Sequence, residues 1–156
     1  MNSEQSGRVK TFATFRVTGD ILVPDKVTKI LKILPTKAYA KGERYSEGPR
    51  SQNLIGRTGV WYSCTDGIVP GNKLSDHLEF ITRLLHGLDG STKPLQALQR
   101  LLRRHELDAT VTCFSYGLAG AKQPSIPRSI SALLRELPAR IETDFVQDQK
   151  PSQDAA

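Results

Sequence analysis

The sequence predicts an α+β fold: an antiparallel or mixed sheet with helices on one face, built on a ferredoxin-like β-α-β-β-α-β core and extended by a C-terminal α-β pair. Three observations predict it. Apolar and polar side chains alternate with period two around residues 9–18, 60–64, 108–116 and 140–146, the pattern of strands with one buried face. Between them, leucines and isoleucines recur at three and four residues, which lines up one face of a helix. The order of these segments, β-α-β-β-α(α)-β-α-β, opens as a split βαβ unit and suits a sheet covered on a single side.

The elements follow in order. Val9, Thr11, Ala13, Phe15 and Val17 alternate with Lys10, Phe12, Thr14, Arg16 and Thr18, and Gly19-Asp20 ends this first strand. Pro24 suits a first helical turn, where its missing N–H costs nothing. Val27, Ile30, Leu31 and Leu34 then keep one face, and Pro35 stops the helix. A short strand is expected over Lys37 to Glu43, a patternless loop over Arg44 to Gly59, and a strand from Val60 to Cys64. Ser75 or Asp76 is placed to cap the next helix, with Glu79 three residues after Asp76 in a capping-box relation. Leu74, Leu78, Ile81, Leu85 and Leu88 carry its face, Gly87 and Gly90 break it, and a second helix begins near Pro94 with Leu95, Leu98, Leu101 and Leu102. Asp108 to Tyr116 reads as a strand with Val111, Cys113 and Ser115 on one side. Ile126, Ile130, Leu133, Leu134 and Leu137 form a last helix ended by Pro138, and Arg140 to Val146 form a last strand. A single domain over 9–146 is expected, with polar disordered tails at 1–8 and 147–156.

Composition bounds the function. The net charge is +6. Residues 1–60 hold 11 Lys or Arg against 5 Asp or Glu, whereas 61–120 and 121–156 are each balanced. Such asymmetry points to an anionic partner, although a solvated surface also accommodates a charge of this size. The N-terminal segment lacks an apolar stretch, which predicts no secretory signal. No run is long enough for a membrane span, and a cytoplasmic location is expected. Cys64 and Cys113, the only cysteines, fall in strand segments and are expected as buried thiols.

Several short motifs together are similar to a known family. Phe15-Arg16-Val17-Thr18-Gly19-Asp20 ends a strand, Pro24 starts a helix, and Leu34-Pro35-Thr36 leads to the turn Lys41-Gly42-Glu43. Gly59-Val60-Trp61 and Leu74-Ser75-Asp76-His77-Leu78 follow. In order and spacing, over roughly residues 11–146, the chain resembles the family known as domain of unknown function 4279, an uncharacterised bacterial family. The resemblance implies a fold and no reaction.

No catalytic set emerges from the residues. His77 and His86 are nine positions apart, about 900° around a helix, and face opposite ways. Two cysteines without a histidine pair are not a zinc signature. Neither metal nor cofactor is expected. His77, near a helix start, is the one candidate general base, for an enzyme with a His77-centred pocket. Its simpler role is a hydrogen bond to the preceding loop. Glu142 and Asp144 read as solvated charge on one strand face.

The remaining signal is the basic, aromatic loop. Lys37, Lys41, Arg44, Arg50 and Arg57 outnumber Glu43 and Glu47, and Tyr39, Tyr45, Trp61 and Tyr62 interleave with them. Trp61 itself is expected in the core. Long structureless connections are uncommon in compact domains, and Arg, Tyr and Trp are favoured contact residues. A second surface is the sheet face carrying Phe12, Thr14, Arg16, Thr110, Thr112, Phe114 and Tyr116. The expected function is a non-enzymatic protein-binding module, such as an immunity-type neutraliser. It would use Lys41, Arg44, Tyr45, Arg50 and Arg57 of the loop with Arg16, Phe114 and Tyr116 of the sheet. Nucleic acid is the alternative partner, gripped by phosphate contacts and base stacking.

Overall fold

The structure, a computed structural model, describes residues 9–148 apart from 52 and 88. The expected tails at 1–8 and from 149 onward, and Leu88, lie outside the described residues. Gln147 ends a strand and the Asp148 N–H bonds the Gly117 carbonyl, so the fold reaches past 146.

Strand β1 (Lys10–Gly19) occupies the middle of a five-stranded sheet in the order β2-β5-β1-β6-β7. Its neighbours β5 (Gly59–Cys64) and β6 (Asp108–Gly117) run antiparallel to it, as β2 (Lys37–Tyr39) does to β5. The order β2-β5-β1-β6 is that of the split βαβ core. Strand β7 (Arg140–Gln147) then lies parallel to β6, as a helical crossover requires. The sheet is therefore mixed.

Four helices among the described residues cover one face: α1 (Pro24–Leu31), α2 (Leu74–His86), α3 (Lys93–Arg104) and α4 (Arg128–Glu136). Ala13, Phe15, Val17, Trp61, Val111 and Cys113 point into the same layer as Leu78, Ile81, Leu85, Leu98 and Leu134, and together they form one apolar cluster. Burying each large aliphatic side chain contributes about 1.5–3 kcal/mol. Trp61 is fully buried, meets Phe15 edge-on at 6.4 Å and donates Nε1–H to Thr28 Oγ1 at 3.0 Å.

Several expectations need correction. Helix α2 begins at Leu74, with Lys73 at the cap and no side-chain cap. Leu74 is buried in phase with Leu78, Ile81 and Leu85, and that burial starts the helix two to three residues earlier than a cap at Ser75 or Asp76 would. Helix α4 starts at Arg128, leaving Ile126 in the preceding segment. Strand β2 stops at Tyr39, because Gly42 adopts φ +82° and Glu43 turns back, its N–H on the Ala40 carbonyl and its Oε2 accepting the Ala40 N–H. The stretch 44–59 is not structureless: it holds a second two-stranded ladder, β3 (Arg44–Tyr45) with β4 (Leu54–Ile55). Cys64 pairs with Thr14 and Cys113 with Ala13, on opposite faces across β1. Only Cys113 is buried; Cys64 is half-exposed.

Candidate functional site

Period two along β1 places Lys10, Phe12, Thr14 and Arg16 on the face that the helices leave open, and the ladder registers set their neighbours. Phe12 lies opposite Phe114, and Phe114 opposite Asp144. The two phenyl rings stack at 4.7 Å with planes 20° apart. Thr112 pairs with Glu142, and the Tyr116 hydroxyl donates to the Asp148 carboxylate. Lys10 leans over Phe12, 5.9 Å from the ring, and its ammonium pairs with Asp66 at 2.8 Å. This end of the face is aromatic at its centre and acidic at the β7 edge.

The other end is cationic. One row across the five strands reads Lys37, Tyr62, Arg16, Thr110, Arg140. At about 4.8 Å per strand it spans about 19 Å. The Arg16 guanidinium sits 5.3 Å from the Tyr62 ring centre, a cation–π distance.

A folded-back ribbon borders this cationic end. Lys37 pairs with Tyr62, Tyr39 with Val60, Arg44 with Ile55 and Tyr45 with Leu54, so β3–β4 continues β2–β5 in a single register. Nine extended residues would separate Lys37 from Ser46 by about 30 Å. Instead the Lys37 ammonium donates to the Ser46 carbonyl at 2.5 Å and lies 4.9 Å from the Tyr45 ring. Tyr45 stacks flat on Tyr39 at 3.9 Å. Lys37 and Tyr39 belong to the open face, so the ribbon bends over that face at the β2 edge. The bend needs Gly56, where a Cβ would meet the Ala40 carbonyl at 2.7 Å and the Tyr39 ring at 2.8 Å. Burial pushes the Tyr39 phenol above its ordinary value, reinforced by Tyr45 and Glu47 and opposed by Arg16.

The expected contact residues therefore divide into groups. Arg16, Phe114 and Tyr116 share the open face, and Tyr45 bends down onto it. Lys41 and Arg57 line a groove of about 1050 Å³ on the ribbon, where Lys41 pairs with Asp20 at 3.3 Å. The Asp20 carboxyl is held low by hydrogen bonding from Thr58 and then by Lys41. Arg44 alternates with Tyr45 and so points away from the Tyr39 stack. Arg50 is exposed near the ribbon tip. Phe12, Tyr62, Lys37 and Arg140 belong to the surface as much as Phe114 does. Period two marks them, but only the register shows which partners they meet.

His77 is buried, 1 % exposed. Its Nε2–H donates to the Gly71 carbonyl at 2.9 Å, which leaves Nδ1 to accept from the Thr65 hydroxyl at 2.6 Å. Thr65 Oγ1 in turn accepts the Ala13 N–H at 2.9 Å. Both ring nitrogens are engaged within the fold, although His77 backs an open groove of about 610 Å³ lined by Lys10, Asp66 and Asn72. Among the described residues no three His, Cys, Asp or Glu side chains converge as a metal site, and no helix is long and apolar enough to cross a membrane.

Fold and surface define a two-layer α+β domain in which, among the described residues, the helices cover one face of the sheet and leave the other open. The chain belongs to the family described as domain of unknown function (DUF4279), whose model matches residues 9–147. No curated protein and no solved structure matches it.

Proposed function

We propose that this protein is a non-enzymatic protein-binding module that engages its partner through the open sheet face and the ribbon bent over it, as an immunity-type neutraliser would. One observation carries the reading: the Phe12–Phe114 stack sits half-buried beside Asp144, with Glu142 in the next row and the cationic row of Arg16 and Arg140 four residues further along the strands. An aromatic centre within a rim of both signs suits a protein surface. A polyanion would meet the repulsion of Glu142, Asp144 and Asp148 beside the very rings on which its bases would stack. That acidic edge favours protein over nucleic acid.

The test is affinity capture by the full chain from a lysate of its own cells, with and without nuclease, followed by size-exclusion of the recovered complex. A stoichiometric protein partner that survives nuclease is expected. Recovery of nucleic acid alone, with retention that collapses between low and moderate salt, contradicts the proposal.

A further inference from the structure

The helical layer, on the opposite side from the open sheet face, carries a second feature. Helix α3 buries Leu95, Leu98 and Leu102 in the core. Beside that stripe runs another at helical spacing, Ala97, Arg100, Leu101 and Arg104. Together with Lys26, Lys29 and Ile30 of α1, this second stripe lines a groove of about 790 Å³. Arg103 and His105 complete its rim, and among the described residues no carboxylate lines it.

The arrangement is unusual in its charge. Lys26 and Lys29 face Arg100, Arg103 and Arg104 across a floor of Ile30, Ala97 and Leu101. None of these five cations forms an ion pair with a described residue. Arg100 and Arg104 are four residues apart on one helix, a spacing at which like charges repel. No carboxylate among the described residues lining the groove offsets that repulsion.

We propose that the α1–α3 groove is a docking site for an acidic amphipathic helix of a protein partner. The groove is bounded by two helices, and α3 at twelve residues runs about 18 Å. A third helix can lay an apolar stripe on the floor of Ile30, Ala97 and Leu101 while its flanking Asp and Glu meet cations on both walls, the helix-in-groove mode. Charge complementarity selects the acidic occupant. The apolar floor selects a side-chain stripe over a phosphate backbone, which gains nothing from it. The site is independent of the open face, so either reading can fail without the other.

The test uses a fluorescein-labelled 16-residue peptide, leucines at helical spacing flanked by glutamates, titrated into the full-length protein by fluorescence polarisation. Three comparison probes are a scrambled peptide of the same composition, a single-stranded thymidine 20-mer and phosphatidylserine-containing vesicles. The amphipathic peptide is expected to bind most tightly and to weaken with salt. Arg100→Glu with Arg104→Glu is expected to weaken it about tenfold or more, since like charges would then oppose its glutamates. Leu101→Gln, which keeps the charges, is expected to weaken it by several-fold. Far-ultraviolet circular dichroism checks that each variant is folded, and Arg135→Glu, an exposed cation of α4 outside the groove, is expected to leave binding unchanged. The proposal is overturned if the scrambled peptide, the oligonucleotide or the vesicles bind as well as the amphipathic peptide, or if folded charge-reversal protein binds it undiminished.

Discussion

Tyr39 and Tyr45 lie face to face, centroids 3.9 Å apart and planes within 6°, although six extended residues would put them about 20 Å apart. This stack closes the bend of the β2–β5 ribbon and lays Tyr45 against the open sheet face. An aromatic pair of this kind is worth about 0.5–1.5 kcal/mol beyond its area. Tyr45→Ala is therefore expected to release the ribbon while leaving the core intact. Limited proteolysis should cut within residues 46–53 several-fold faster, with a small change in Tm. An unchanged cleavage rate would show that the stack does not hold the ribbon.

The chain Ala13 N–H, Thr65 Oγ1, His77 Nδ1 ties β1 to α2. His77→Ala removes buried volume and strands a hydroxyl, and should cost about 3 kcal/mol. Thr65→Val leaves the Ala13 N–H and one ring nitrogen unpaired and should cost about 2–4 kcal/mol. Because the two share a bond, the double variant should cost less than the sum by about 1–2 kcal/mol in urea denaturation. Additive losses would separate them.

Ser63 Oγ is buried without a hydrogen-bond partner among the described residues. Burying an unpaired hydroxyl costs about 1–3 kcal/mol. Ser63→Ala should stabilise the protein by about 1 kcal/mol, raising Tm by about 2–4 °C for a chain of this size. A lower Tm would mean the hydroxyl has a partner.

Burial pushes the Cys113 thiol from 9.0 to about 11. Between those values the unfolded thiol has lost its proton and the folded one keeps it. The unfolded state then binds fewer protons, so stability falls as pH rises. The contribution is intact below pH 9 and declines by about 2 kcal/mol toward pH 11. Cys113→Ala should show a shallower loss over the same window. Under native conditions a thiol reagent should modify half-exposed Cys64 and spare Cys113; fast modification of both would place Cys113 outside the core.

Much of the scaffold was legible in the residues. Alternation in β1 and β6 separated Phe15 and Val111 from Arg16 and Phe114 correctly, because one face of each strand is buried. The ribbon was not legible. Its strands β3 and β4 are two residues long, too short for period two to register, and its bend rests on Gly42 and Gly56 rather than on any hydrophobic pattern. Charge was misleading for a different reason. Residues 61–120 are balanced in sequence, yet α3 segregates Arg100, Arg103 and Arg104 from the acids and sets them beside Lys26 and Lys29. The acids of β7 looked like ordinary solvated charge until the register put Asp144 beside Phe114.

The open sheet face is the proposed seat of a protein partner. The most direct measurement is the Kd of the captured partner for the wild-type chain and for Phe12→Ala/Phe114→Ala, with folding checked by thermal melting. Affinity is expected to drop by tenfold or more, the scale of removing central aromatic contacts. Equal affinity in the folded double variant would place the partner elsewhere and overturn the proposed role of this face.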